Sequence, residues 1–299
     1  MRTWTEELML PEKLREGRIQ KEPASYTAWI LGRSGKIQEK KRKAVIICPG
    51  GGYEHLSPRE GEPIAMQYLA MGYHVFVIHY SLAPEPFPTA LRELALLTAK
   101  IREHASEWTI DPEGIIVSGF SAGGHLALSL GVHWDKKWLY EPLGLTPEQI
   151  RPDGMILSYP VVTAGEGCHR GSVERLLWGR MLDEEQPVLP GGSQAEQGEL
   201  RELISLEKQV GSHTPPAFLW HTVTDQTVPV RNSLLLAEAL VKNGVSLEFH
   251  LYPVGRHGLA LASEETADGQ ESYIEPQCQS WIRLAGIWLE HFQGGTLSF

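Results

Sequence analysis

The chain reads as an α/β fold, a mainly parallel central sheet flanked by helices, and three observations predict it. Short β-rich apolar runs alternate with amphipathic stretches over most of the 299 residues. Several runs, such as Ala44-Val45-Ile46-Ile47-Cys48, are continuously apolar, the pattern of strands buried on both faces. One such run, Gly114 to Ser118, leads through Gly119-Phe120-Ser121-Ala122-Gly123 directly into Gly124-His125-Leu126-Ala127-Leu128, so that a strand, a small-residue turn and a helix follow one another.

In chain order, Met1 to Arg18 is charged throughout and lacks the apolar core of a secretory signal, which leads us to expect a cytoplasmic protein. The basic run Lys40-Lys41-Arg42-Lys43 reads as a solvated turn before the strand Ala44 to Cys48. His74 to Ile78 is a second buried strand, and Pro63 to Met71 fits the crossover helix between the two. Thr89 to Glu107 repeats apolar residues at Leu91, Leu94, Ala95, Leu97 and Ile101, the spacing of a helix facing a core. Further strands are expected at Met155 to Tyr159, Ala217 to His221 and the alternating Leu247 to Tyr252, with helices at Val230 to Lys242 and Gln279 to His291.

From about 162 to 211 the alternation breaks. The segment is rich in Gly, Glu, Gln and Pro, includes Leu189-Pro190-Gly191-Gly192-Ser193, and shows short helical pieces at Val173 to Trp178 and Glu199 to Ile204. An insertion of this length in a compact domain usually carries function, and we expect a cap over the site. The whole chain, 1–299, is then one domain. Its composition, 42% hydrophobic and 21% charged, is that of a globular protein with a full core. No stretch is apolar for long enough to suggest a membrane span. A net charge of −10 with no long basic cluster argues against nucleic acid as a partner. The three cysteines, Cys48, Cys168 and Cys278, have neither disulfide-framework nor zinc-site spacing. The composition is compatible with a homo-oligomer.

The Gly119 to Gly123 turn has the form of a nucleophile elbow, which holds a serine hydroxyl above the sheet at the start of a helix. A serine nucleophile needs a base, a third group to orient that base, and donors for an oxyanion. Asp225, in the polar loop Thr222 to Pro229 after a strand, is the expected acid, and His257, in Pro253-Val254-Gly255-Arg256-His257-Gly258 after another, is the expected base. The order Ser, Asp, His is that of the α/β-hydrolase fold, whose functional loops gather at the carboxyl ends of the strands. Among the rivals, His221 and His250 lie on strands, and His125 lies in the helix after the elbow. His169 and His213 fall in or beside the insertion, where they could touch substrate. Asp153 precedes a strand rather than following one, and Asp183 lies in the insertion. Pro49-Gly50-Gly51-Gly52-Tyr53, directly after a strand, brings backbone N–H groups close to a substrate oxygen, and with Ala122 forms the expected oxyanion hole. It matches neither the P-loop nor the dinucleotide-binding pattern.

Together, Pro49 to Tyr53, His79-Tyr80-Ser81-Leu82-Ala83-Pro84, Gly119 to Gly124, Asp225 and His257 resemble the bacterial esterases related to hormone-sensitive lipase, within the branch described as xylanase-like or acetyl-xylan esterase proteins. The lipase-like relatives carry His-Gly-Gly-Gly where this chain has Pro49 before its glycines. The resemblance implies Gly51 and Gly52 as N–H donors. It implies a serine esterase without cofactor or metal, acting on a small-molecule ester such as an acetylated sugar or xylo-oligosaccharide. Ala164-Gly165-Glu166-Gly167-Cys168-His169-Arg170-Gly171-Ser172 also looks like this branch, with no chemistry that its residue types assign. Two alternatives stand beside this expectation: an amide hydrolase (peptidase or formamidase) on the same fold, and a non-catalytic binding protein built on it.

Overall fold

The computed structural model describes residues 1–15, 23–32, 40–179, 194–293 and 296–297. Eight strands form one sheet: β1 (Arg2–Leu8), β2 (Ala24–Ile30), β3 (Arg42–Cys48), β4 (His74–His79), β5 (Ile110–Phe120), β6 (Gly154–Ser158), β7 (Ala217–Thr222) and β8 (Leu247–Tyr252). Their spatial order is β1-β2-β4-β3-β5-β6-β7-β8. All neighbours from β4 to β8 pair in parallel, and β2 alone runs against the rest.

The apolar runs are central because both of their faces are covered. Ala44, Ile46 and Cys48 of β3 join one core layer with Phe76, Val117 and Leu126, while Val45 and Ile47 join the other with Ile116, Trp220 and Trp281. The helices Thr89–Glu103, Ala122–His133 and Arg231–Lys242 serve the first layer, and Glu62–Ala70 and Trp281–His291 serve the second. Among the described residues no helix is long and apolar enough to cross a membrane.

Three differences from the sequence reading have physical causes. The basic run is part strand: β3 begins at Arg42, whose guanidinium donates to the Gly72 carbonyl at 2.8 Å. The helix expected over Thr89 to Glu107 breaks at His104 and resumes as one turn, Ala105–Trp108, before Thr109 takes a left-handed conformation (φ 60°) and the chain enters β5. Trp108 fixes this corner by packing on His104, Trp4 and Phe76. The strands β1 and β2 were not anticipated, because β1 is a polar edge strand whose sequence carries little apolar signal. It is held by a cross-strand bond, Tyr26 Oη donating to Glu6 at 2.6 Å, and by an ion pair of Glu6 with Lys100 of the helix Thr89–Glu103.

Of the segment 162–211, the described parts fold back on themselves. Leu206 N–H donates to the Val162 carbonyl at 3.0 Å, and Ala164 N–H to Ser205 Oγ at 3.2 Å, so that its beginning is tied to its end. The helices Arg170–Trp178 and Gln194–Leu203 lie between. Leu189 to Ser193, Asp183 and Met181 lie outside the described residues.

Two buried imidazoles on the helix Ala122–His133 reach backbone carbonyls of this segment: His125 Nε2 to Ile204 at 3.0 Å and His133 Nε2 to Leu203 at 3.2 Å. Burial pushes both pKa values down to about 4. The unfolded chain takes up these protons near pH 6.5, whereas the fold does not until about pH 4. The stabilisation is therefore complete above pH 6.5 and is lost as pH falls from 6.5 towards 4, by about 1.4 kcal/mol per pH unit for each imidazole. Unfolding free energies from urea titrations between pH 7 and pH 4.5 should show this decline, and His125→Gln should flatten it by the equivalent of about one proton.

Candidate active site

Ser121 sits between the end of β5 and the helix Ala122–His133 with φ 54° and ψ −117°, a conformation that side-chain-bearing residues avoid. The surroundings impose it. Ser121 N–H donates to the Ser158 carbonyl at 3.0 Å, and its own carbonyl accepts from His125 N–H and Val161 N–H, both at 3.1 Å. The turn closes only because its flanks are bare. A Cβ on Gly119 would overlap the Gly123 carbonyl, and one on Gly123 would overlap the Cys48 carbonyl of β3.

The loops after β7 and β8 bring an acid and an imidazole to this turn. His257 Nε2 lies 2.7 Å from Ser121 Oγ, and His257 Nδ1 lies 2.6 Å from Asp225 Oδ2. An ionised carboxylate can only accept, so Nδ1 carries the ring proton and Nε2 is left to accept from the serine hydroxyl. The two loops are laced together by Thr222 and Thr224, whose hydroxyls donate to the Gly255 carbonyl at 2.8 and 3.0 Å. Tyr159 and the His257 ring meet edge to face at 5.1 Å between centroids, which restricts the tilt of the imidazole.

Asp225 is buried and fully committed. Its Oδ1 accepts from the amides of Thr227 at 2.9 Å and Val228 at 3.0 Å. Burial by itself would raise its pKa. The imidazoles of His221 and His257 and the Val228 amide more than offset that, and hold the carboxyl well below the usual carboxylate range. The contribution of His221 was not foreseen. Its Nε2 donates to the Val228 carbonyl at 3.0 Å and lies 3.3 Å from Asp225 Oδ2, while Nδ1 faces Ser233 Oγ at 2.7 Å. The sequence signal available for it was position: a histidine on the strand that delivers the acid, four residues before it.

Gly51 and Gly52 line the same cavity as Ser121 and His257, with φ values of 127° and 66°; at Gly51 a Cβ would also overlap the His55 carbonyl, so that position takes glycine alone. Buried groups behind the loop hold it still. Tyr80 Oη donates to the Pro49 carbonyl at 2.6 Å, Ala83 N–H donates to the Tyr53 carbonyl at 2.8 Å, and Tyr53 Oη meets His125 Nδ1 at 3.0 Å. Because His125 Nε2–H is spent on Ile204, Nδ1 is the acceptor in that last bond. Gly50 N–H donates to Glu60 Oε2 at 2.8 Å, and Tyr159 Oη donates to Glu60 Oε1 at 2.7 Å while accepting from Ala260 N–H at 2.9 Å. One buried carboxylate thus joins the glycine loop to the loop that carries His257. Ala122 N–H, at the first turn of its helix, has no intrahelical acceptor.

The remaining candidates separate cleanly. His169 lines the same cavity, of about 350 Å³, as Ser121 and His257. His213 binds the Val132 carbonyl at 3.0 Å outside the cavity lining, and His250 pairs with Glu248 on β8. Asp153 is bound by Arg102, Arg151 and the Ile115 amide. Among the described residues no group of three His, Cys, Asp or Glu is placed to hold a metal ion.

The geometry can be set beside known proteins. The model of the BD-FAE family matches residues 34–240. The chain is 36% identical over 237 residues to endo-1,4-beta-xylanase B of Butyrivibrio fibrisolvens, a match covering 77% of this chain and 34% of that protein. It is 28% identical over 225 residues to an acetylxylan esterase of Xylanibacter ruminicola, covering 74% of this chain and 42% of that protein. The chain therefore spans between a third and a half of the length of these curated relatives. Among solved structures, the acetyl ester-xyloside bifunctional hydrolase from Caldicellulosiruptor lactoaceticus superimposes with a TM-score of 0.76 at 33% identity, covering 96% of this chain and 95% of its own. With more than half of its length matched by the family model, and with this sheet order and these neighbours, the chain belongs to the BD-FAE family of α/β hydrolases.

Proposed function

We propose that the protein is a serine carboxylic ester hydrolase that works through an acyl-enzyme and removes short acyl groups, acetyl foremost, from hydroxylated alcohols such as acetylated sugars or xylo-oligosaccharides. The observation that carries the reading is the unbroken line from Ser121 Oγ to His257 to Asp225, with contacts of 2.7 and 2.6 Å. In the reaction Ser121 Oγ attacks the ester carbonyl as its proton passes to His257 Nε2. Asp225, already ionised, stabilises the imidazolium that forms. The amides of Gly51, Gly52 and Ala122 receive the oxyanion. His257 then gives its proton to the leaving alkoxide oxygen, and the alcohol departs. Water, deprotonated by the same imidazole, attacks the acyl-Ser121 carbonyl to release the acid and restore the serine.

The preference for a hydroxylated alcohol rests on the wall that the segment 162–211 supplies, which we take to be a cap. Its helix Arg170–Trp178 turns Val173, Leu176 and Leu177 into the core and presents His169, Ser172 and Arg175 towards Gly52. Arg175 is paired with Glu54 at 2.8 Å, so this wall is polar. The names of the relatives, which include an acetylxylan esterase and an acetyl ester-xyloside hydrolase, favour the same substrate class.

Ser121→Ala should fold as the native protein does and lose roughly three or more orders of magnitude in kcat, because the triad acts as a unit. Asp225→Asn should lose about 10²- to 10⁴-fold with the site otherwise intact, since an amide can hold the imidazole in the wrong tautomer. Near-native hydrolysis of p-nitrophenyl acetate by either variant would contradict these roles. The acyl preference should be steep: kcat/KM for p-nitrophenyl esters should fall by about tenfold or more per pair of added methylenes beyond acetate. Acetate should appear from acetylated xylosides. Equal or faster turnover of octanoate esters, with no acetate released from the sugars, would remove the substrate assignment and leave the triad in place.

A further inference from the structure

The segment Ala164 to Ser172 has no role in the proton transfers above, yet one of its side chains stands in the cavity. His169 is the N-cap of the helix Arg170–Trp178: its Nδ1 accepts from Ser172 N–H at 3.3 Å and lies 2.8 Å from Ser172 Oγ. A ring nitrogen that accepts from a backbone amide carries no proton, so the proton of the neutral ring sits on Nε2. Burial first, and then the Arg175 guanidinium among its neighbours, lower the pKa of His169 and favour the neutral ring. Among the described residues nothing accepts from Nε2–H. The ring faces the same space as Ser121 and His257. It also flanks the glycine loop, since a Cβ on Gly52 would lie 3.9 Å from His169 Cε1 and 3.7 Å from both Ser172 Oγ and Arg175 Nη1. Residues 169, 172 and 175 follow the i, i+3, i+6 spacing that puts them in one row along the helix, and Glu54 ends that row through Arg175.

We infer that His169 is a specificity-determining residue, whose Nε2–H donates to a hydroxyl or ring oxygen on the alcohol half of the ester, with the row Ser172, Arg175 and Glu54 continuing a subsite for a polyhydroxylated alcohol. The inference rests on the esterase reading and adds where the alcohol binds and which group selects it. The acyl carbonyl has its own donors in the backbone, and the ester oxygen receives its proton from His257. His169 Nε2–H, which has no protein acceptor among the described residues and borders the same cavity, is therefore free to meet the substrate's remaining oxygens. An alcohol without them leaves Nε2–H desolvated and unpaired, which is the stronger source of discrimination.

The test compares two esters with the same acyl group, glycerol 1-acetate and propyl acetate, in the wild-type protein, His169→Asn and His169→Phe. Asn keeps the helix cap but cannot reach the cavity as the imidazole does, whereas Phe keeps the ring shape and loses the donor. The wild type should prefer glycerol acetate. Both variants should lose about tenfold to a hundredfold in kcat/KM on it, chiefly through KM, while propyl acetate changes by less than about threefold. Equal losses on the two esters, or no loss on either, would overturn the inference. A wild-type protein without preference between them would overturn it with no variant needed. The esterase reading fails separately, if Ser121→Ala still hydrolyses both esters. Refusal of acetylated xylosides by a wild type that takes glycerol acetate would remove the sugar assignment and leave His169 in its role.

Discussion

The site depends on one backbone constraint, the left-handed turn at Ser121. A conformation of this kind costs of order 1–3 kcal/mol and persists only where the surroundings over-determine it. Here β6 supplies the acceptor for Ser121 N–H, the segment after β6 supplies Val161 N–H, and β3 approaches so closely that Gly123 has no room for a side chain. Three neighbouring stretches of chain thus press on one residue. Their packing fixes where its hydroxyl points, and the loops after β7 and β8 need only reach that point.

Preorganisation extends outward in two directions from the proposed nucleophile. On one side, Asp225 receives two backbone amides and lies against two imidazoles, so it is ionised before any substrate arrives. On the other side, the glycine loop is pinned by buried hydroxyls of Tyr53 and Tyr80 and by the Glu60 carboxylate. In the proposed mechanism, oxyanion donors held this way would need little reorganisation when negative charge develops, which is the physical basis of oxyanion stabilisation. Glu60 and Tyr159 join the two sides, because a single chain of hydrogen bonds runs from Gly50 to Ala260, three residues beyond His257.

Much of this was legible locally. The continuous apolar runs of β3, β4 and β5 marked strands buried on both faces, and Ser121, Asp225 and His257 each follow such a strand or its neighbour in a loop with turn residues. Partners distant in sequence were not legible. Tyr159 and Glu60 are 99 positions apart, and nothing in either neighbourhood announces the other. The same holds for Tyr53 with His125, 72 positions apart. The polar edge strand β1 escaped because its residues alternate weakly and its stability comes from pairing with β2 and from Trp108 beneath it. His169 lay between these cases: its segment stood out as a resemblance, but only the cap geometry at Ser172 fixes the tautomer on which its proposed role rests.

The central claim is a covalent mechanism at Ser121, and organophosphate labelling tests it most directly. Diethyl p-nitrophenyl phosphate should inactivate the wild-type protein with release of one p-nitrophenolate per chain, and mass spectrometry should place a single diethylphosphoryl group on Ser121. Ester hydrolysis that survives full exposure to the reagent, or inactivation with the label on another residue, would contradict the account.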